Sequence, residues 1–357
     1  MTHLFALSDY NYTLPPELIA QQPENGRDSS RLLRLNRFNG DLSHHHFYDI
    51  VQFFNPGDVL VLNNTEVIPG RLYGKKTTGG QAEILILDYA EASRSFRQTG
   101  DMICTCLIKC SKKPKPGTEI RFHEELTARV LDSGEDQYRV QFFSHAGFED
   151  ILYRIGRMPL PPYIRRNSAE ELPCDDQTRY QTVYASQKGA IAAPTAGLHF
   201  TREILGQIEA RGIVIAPITL HVGYGTFKPV RALDIREHRI HEEQFTIPQE
   251  TAIQVNQAIK NGNRIVAVGT TCVRTLEYAA NHQRQITAGS GSCNLYIYPG
   301  FRFSIVDAMI TNFHLPQSTL LMLVSAFAGR TTILRAYQEA IDGGYRFYSY
   351  GDAMIID

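Results

Sequence analysis

From Thr201 onward the chain alternates two periodicities that a single kind of layer cannot serve. "TREILGQIEARG" opens with Thr201 as a candidate N-cap, carries Glu203 in its first turn and stops at Gly212, so it reads as a helix. "IVIAPITLHV" follows as a continuous apolar run, a buried strand ending near His221. "PQETAIQVNQAIKNG" sets Ala252, Val255 and Ile259 at helical spacing. "RIVAVGTTCVRTLEYAA" reads as a strand, a tight turn at Gly269-Thr270-Thr271, then a helix, and "NLYIYPG" and "FSIVDAMI" read as further strands. "STLLMLVSAFAG" is a buried helix capped by Ser318 and ended by Gly329. "TTILRAYQEAIDGG" places Ile333, Ala336, Tyr337, Ala340 and Ile341 on one face. Strands that alternate with helices bury both by packing helices on a sheet, which predicts an α/β layered domain.

Residues from about Arg71 to Phe148 break that rhythm. "AEILILD", "MICTCLIKC", "TEIRFH", "LTARVLD" and "QYRVQFF" are short strand-like runs separated by Gly, Lys, Pro and Glu. They predict a small all-β, barrel-like domain inserted in the α/β domain. The chain leaves the main domain near Pro69 and returns near Leu152, which gives 1–70 with 152–357 as the α/β domain and 71–151 as the insert. A chain of 357 residues also exceeds what one hydrophobic core usually holds.

Charge narrows the function classes. Lys and Arg number 36 against 37 Asp and Glu, so nothing in the total points to nucleic acid, and any RNA contact must come from local basic clusters. The start "MTHLFALSDYNYTLP" has neither the basic segment nor the apolar core of a signal peptide, and the longest apolar run, "LLMLVSAFA", is far too short to span a bilayer. No two of the six cysteines are spaced C-x-x-C, which suggests reduced thiols in the cytosol.

Three constellations could carry chemistry. In "GTTCVRT" a helix starts directly after a strand, offering free N–H groups and a positive dipole end. Arg274 in its first turn opposes the dipole unless an anion binds with Thr270 and Thr271; otherwise Thr271 caps and Arg274 pairs with Glu277. "LHVGYGTFKPV" ends a strand at His221, and Gly223 and Gly225 then let a ligand approach the backbone closely or simply make a turn. In "VDAMITNFHLPQST", Asp307 on a strand precedes Asn312 and His314, the parts of a proton-transfer site or of an ordinary turn and core histidine. His199, at the end of the bare run "GAIAAPTAGLHF", could point into the same cleft.

Two basic stretches suit RNA. "IKCSKKPKPG" gathers Lys109, Lys112, Lys113 and Lys115 on one loop, and "RIGRMPLPPYIRR" brings Arg154, Arg157, Arg165 and Arg166 around Tyr163, cations with an aromatic for phosphate and an unpaired base. No metal is expected: "SHHHF" can turn only two of its imidazoles to one strand face, and "HRIHEE" lacks the H-E-x-x-H order.

The motifs together resemble one family, the S-adenosylmethionine:tRNA ribosyltransferase-isomerases of queuosine biosynthesis. The resemblance runs through "LSDYNYTLPPELIAQ", "GDVLVLNNTEVIPGRLYGKK", "MPLPPYIRR", "GAIAAPTAGLHFT", "TLHVGYGTFKPVR", "VGTTCVRTLE", "DAMITNFHLPQSTLLMLVSAFAG" and "YRFYSYGDAMIID". It departs at Glu66, where the family usually has Arg, and at Gly70, usually Ala. The resemblance implies an α/β domain with a β-barrel insert. It implies transfer and isomerisation of the ribosyl part of S-adenosylmethionine onto the aminomethyl group of a 7-deazaguanine at the anticodon wobble position. Epoxyqueuosine-tRNA forms, and adenine and methionine are released. S-adenosylmethionine is then a consumed substrate, no cofactor is needed, and a cytoplasmic monomer is expected. Laid on this sequence, such chemistry suggests proton transfer by His199, His221 and His314 with Asp307. It suggests a methionine carboxylate at Thr270, Thr271 and Arg274. The rival classes are an S-adenosylmethionine-dependent RNA methyltransferase, whose glycine-rich loop after a strand is missing, and a non-catalytic RNA binder.

Overall fold

The computed structural model describes residues 5–123, 125–134, 136–144, 147–166, 174–223 and 230–357. Its centre is a nine-stranded sheet. Four neighbours, Val214–Leu220, Val59–Asn63, Ile265–Val268 and Ala308–Asn312, run parallel. Ala353–Ile356 is antiparallel to the last of these and parallel to Arg31–Leu35, with Leu42–His46 at that edge. Glu243–Ile247 and Gly289–Cys293 close the other edge as antiparallel additions.

Side chains along each strand alternate between two cores, as a pleated strand requires. Val59 and Val61 pack on one face with Ala252, Val255, Cys272, Leu276, Leu323 and Ile333, so the helices Gln249–Lys260, Thr270–Ala279, Thr319–Ala328 and Arg330–Asp342 cover that face. Leu60 and Leu62 pack on the other face with Phe47, Ile50, Ile204 and Ile208, from the turn Phe47–Phe53 and the helix Arg202–Ala210. Helices on both faces of a mixed sheet with a parallel centre are the α/β layering that the alternating periodicities predict. Thr201 and Ser318 cap as expected, accepting from the N–H groups of Ile204 and Leu321.

The all-β insert is a closed six-stranded barrel of Arg71–Lys76, Gln81–Ile86, Met102–Cys110, Glu119–His123, Leu126–Ser133 and Tyr138–Ser144. Leu72, Ile84, Cys104, Ile120, Ala128 and Val140 fill it. A helix not foreseen in the sequence, Tyr89–Thr99, caps it. Where the chain enters and leaves the barrel, Arg71 and Arg157 exchange both backbone hydrogen bonds, which clamps the two crossings together.

Two expected strands are not formed as read. "NLYIYPG" is irregular, and "FSIVDAMI" becomes a strand only from Ala308. For the second, Glu277 is the cause: its carboxylate accepts the N–H groups of Ser304, Ile305 and Val306, taking the donors a strand ladder needs. Among the described residues no single helix is long and apolar enough to cross a membrane. Thr319–Ala328 and Arg330–Asp342 qualify only as a pair bent by 113°.

Candidate active site

Four parallel strands end along one edge of the sheet, at Leu220, Asn63, Val268 and Asn312. Ligand crevices in open α/β sheets form at that edge. Asn63 ties two of these ends together, its amide donating to the carbonyl of Leu220 and accepting from the N–H of Leu220 at 3.0 Å. At the next end Gly269, at φ 85°, turns the chain from strand into helix, a backbone conformation that favours glycine.

A cleft of about 100 Å³ opens there, walled by Ala193, Ala196, Gly269, Thr271, Asn312 and His314. The bare run before His199 thus has a structural purpose: small side chains leave this wall low. The first N–H groups of the Thr270–Ala279 helix have no acceptor within the helix and lie in the cleft wall. Thr271 Oγ1 and Asn312 Oδ1 are buried without a hydrogen-bond partner among the described residues. Such groups are costly to desolvate unless something bonds them.

The three candidate imidazoles occupy different positions around this cleft. His314 lines it, with Nε2 2.8 Å from Thr311 Oγ1. His199 lies one residue behind the wall: Asn312 Nδ2 donates to its Nε2 at 3.0 Å, and its Nδ1 faces Ser30 Oγ at 2.7 Å. Since Nε2 accepts, Nδ1 carries the proton, and Asn312, His199 and Ser30 form a relay ending on the carbonyl of Arg27. Burial pushes both imidazoles down to about 3, aided at His199 by Arg346 and Arg27. They are neutral at physiological pH. His221 lies outside the cleft, toward the barrel, bonded to Thr65 Oγ1 at 2.8 Å and packed near Gly189, and burial with Arg94 lowers it to about 4.

Several candidate residues lie away from the cleft or are engaged elsewhere. Asp307, expected on a strand, sits just before the strand Ala308–Asn312. Its carboxylate accepts from the N–H of Ile265 at the far edge, about 16 Å from Asn312 at about 3.3 Å per residue. Arg274 neither faces the cleft nor pairs with Glu277. It forms a buried ion pair with Glu243 at 2.5 Å and donates to the carbonyl of Leu295 at 3.0 Å. Glu243 also accepts from the N–H of Gly223, so that glycine anchors the loop. Tyr163 is a wall of the cleft, not a free stacking surface: its hydroxyl bonds Ser349 Oγ at 2.6 Å and its ring packs on Tyr348. Arg166 is held by Asp176 at 2.7 Å. Arg165 is exposed, as are Lys112, Lys113 and Lys115 on the loop after Cys110. Gly225 lies outside the described residues. The departure at Glu66 has a local partner, the hydroxyl of Tyr153, 2.5 Å from Oε1.

A second cavity of about 630 Å³ lies against the barrel. Ile164 and Ile191 line it while their neighbours Tyr163 and Ala192 line the small cleft, so the two are separated by a wall one residue thick. Binding pockets for drug-sized ligands span about 300–1,000 Å³. The larger cavity falls within that range and the small cleft below it. Sequence reasoning missed the residues that supply this edge from outside the parallel strands, Ser30 and Tyr348: both lie in stretches that carry the family resemblance, but neither is a residue type that marks a chemical role by itself.

The family model described as "Queuosine biosynthesis protein" matches residues 7–356. A protein of Syntrophotalea carbinolica called S-adenosylmethionine:tRNA ribosyltransferase-isomerase is 52% identical over 352 residues, 98% of this chain and 99% of that one. A protein of Geotalea uraniireducens with the same name is 51% identical over 351 residues, again 98% and 99%. The crystal structure of an S-adenosylmethionine tRNA ribosyltransferase from Thermotoga maritima is 37% identical and superposes with a TM-score of 0.55, covering 98% of this chain and all of that one.

Proposed function

Because the chain belongs to the queuosine biosynthesis protein family, we propose that it is an S-adenosylmethionine:tRNA ribosyltransferase-isomerase acting in the cytoplasm. It moves the ribosyl part of S-adenosylmethionine onto the aminomethyl group of 7-aminomethyl-7-deazaguanine at the tRNA wobble position. One observation carries the assignment of the site: two buried, unpartnered polar atoms and a neutral imidazole converge beside a helix N-terminus at the ligand edge of the sheet.

The chemistry makes four demands. A proton leaves the ribose 5′ carbon beside the sulfonium, adenine departs, the neutral RNA amine forms the new C–N bond, and the sulfonium C–S bond breaks to release methionine. Thr270, Thr271 and the free N–H groups of their helix turn suit the methionine carboxylate, since a helix N-terminus attracts anions. With Arg274 committed to Glu243, these backbone donors take the role that the sequence suggested for the guanidinium. Asn312 Oδ1 is an acceptor for a ribose hydroxyl or for the attacking amine, and His199 and Ser30 orient it.

His314 is the base this reading favours. Its Nε2 is engaged by Thr311 Oγ1 at 2.8 Å, so the base form this reading needs is the tautomer whose Nε2 donates to that hydroxyl and whose Nδ1 takes up the proton. Burial keeps the ring in its accepting form while weakening its driving force, so the sulfonium must supply much of the carbon's acidity.

The test is product analysis. Incubation with S-adenosylmethionine and tRNA carrying the modified base should release adenine and methionine together. S-adenosylhomocysteine would mark a methyltransferase, and RNA binding with no released product would mark a non-catalytic binder.

A further inference from the structure

The larger cavity has a wall that the reaction above does not use. Strand register builds it on the outside of the barrel. Arg71 pairs with Leu85 and Leu85 with Leu107, while Tyr73 pairs with Glu83 and Glu83 with Lys109. Between these two rows Leu72 and Ile84 point inward and are fully buried, so all six outer residues share one face. That face has an apolar floor, Leu85 and Leu107, and a half-exposed aromatic, Tyr73, at 49%. The Arg157 guanidinium stands 5.3 Å from the Tyr73 ring centroid.

Charge decides what the face suits. Arg71 is neutralised by Glu83 at 2.5 Å, and on the opposite wall Asp176 is neutralised by Arg166. Asp175 accepts the N–H groups of Gln177 and Thr178. Lys109 and Arg157 are exposed and form no ion pair among the described residues. An aromatic ring, an apolar floor and two cations outside any ion pair, one of them over the Tyr73 ring, fit one unpaired nucleotide, base on the ring opposite Arg157 and phosphate at the cations.

We propose that this outer barrel face, Tyr73 with Leu85, Leu107, Lys109 and Arg157, binds a nucleotide flanking the reacting one in the anticodon loop. The proposal rests on tRNA being the substrate, as argued above. The one-residue wall between the cavities lets one nucleotide reach the small cleft while its neighbour stays on the barrel.

The experiment measures affinity for anticodon stem-loop RNAs by fluorescence anisotropy. One loop is intact, and others carry a single abasic nucleotide on either side of the wobble position. Tyr73→Ala should weaken the intact loop roughly five- to hundredfold, the worth of one base–aromatic stack, and Tyr73→Phe should restore it. For the abasic loop that lacks the stacked base, Tyr73→Ala should change nothing further. Lys109→Ala with Arg157→Ala should reduce the slope of log affinity against log salt by about 0.7, one single-strand phosphate. S-adenosylmethionine affinity should be unchanged in Tyr73→Ala. Wild-type RNA affinity in Tyr73→Ala overturns the proposal, as does a loss confined to S-adenosylmethionine, which would put adenine on this face instead. Adenine release by the wild-type protein is scored separately. Its absence would defeat the enzymatic reading while a Tyr73 effect specific to one abasic position would still support the subsite.

Discussion

Replacing Arg274 by Met separates a structural role from a substrate-binding one. The Arg274 and Glu243 side chains are 5% and 4% exposed and lie 2.5 Å apart. The variant strips the guanidinium from a buried carboxylate and also loses the bond to the carbonyl of Leu295. Breaking a buried ion pair from one side costs about 3–5 kcal/mol, a large share of the roughly 5–15 kcal/mol that holds a folded protein together. Urea unfolding followed by far-UV circular dichroism should show that loss directly. The double variant Arg274→Met/Glu243→Leu replaces both charges with apolar volume and should recover most of the stability, short of the hydrogen bonds to the Gly223 N–H and the Leu295 carbonyl. S-adenosylmethionine binding by calorimetry is then read on the double variant. With the guanidinium committed to Glu243, its affinity should remain within a few fold of wild type. If stability returns and binding does not, Arg274 holds the methionine carboxylate after all; if the single variant unfolds like wild type, the ion pair contributes nothing.

Acid should destabilise the protein through its buried imidazoles. His199 and His314 titrate near pH 3 folded but near 6.5 unfolded, so their contribution is complete above pH 6.5 and lost as pH falls toward 3. Each adds a slope of about 1.4 kcal/mol per pH unit, and His199→Gln should remove one such contribution from urea midpoints taken at pH 6.5, 5.5 and 4.5. Thr271→Val should leave stability unchanged or raised, because a buried hydroxyl without a partner is removed, and should weaken S-adenosylmethionine binding about fivefold; unchanged calorimetric affinity would rule the hydroxyl out. His314→Ala should lower adenine release about 10²- to 10⁴-fold without changing tRNA affinity, whereas His221→Ala, outside the cleft, should lower it far less. Equal effects would mean that His221 swings into the cleft when RNA binds. Gly197→Ala should destabilise by about 1–3 kcal/mol, since a methyl there falls 2.0 Å from the Tyr184 hydroxyl, and a thermal melt reads it.

Local periodicity made the helices and the barrel strands legible. Thr201, Ser318 and Gly329 mark helix ends with their own side chains or lack of one, so no distant residue is needed to find them. What escaped depends on partners far along the chain. Glu277 draws residues 304–306 out of a ladder from 27 to 29 positions away. Arg274 finds its carboxylate 31 positions earlier, on the second strand in from the sheet edge, while the nearer Glu277 is taken. Asp307 and His314 are seven positions apart and look like one site. Only the register, with Val266 opposite Ala308 and Val268 opposite Ile310, shows that the strand between them carries them to opposite edges. The barrel platform was legible only in part for the same reason. Lys109 and Arg157 read as basic residues suited to RNA, but their meeting with Tyr73 on one face depends on strand pairing order that no single segment states.

Topology explains why the barrel and the cleft belong together. The chain leaves the sheet at Asn63, the ligand end of a central parallel strand, and runs through Thr65–Val67 into Arg71, the first barrel residue. It comes back at Arg157, clamped to Arg71, and then supplies Tyr163 to the cleft and Ile164 to the larger cavity. An insert at that crossing must hang over the edge where Asn312, His314 and the Thr270–Ala279 helix open. The same barrel placed at the other edge, beside Asp307, would stand a full strand length from the imidazoles. Its cations could hold an RNA loop there, but no base in that loop could reach the cleft. If the barrel face holds RNA as proposed, the end of the strand Val59–Asn63 that carries the insertion decides whether the held loop can reach the cleft.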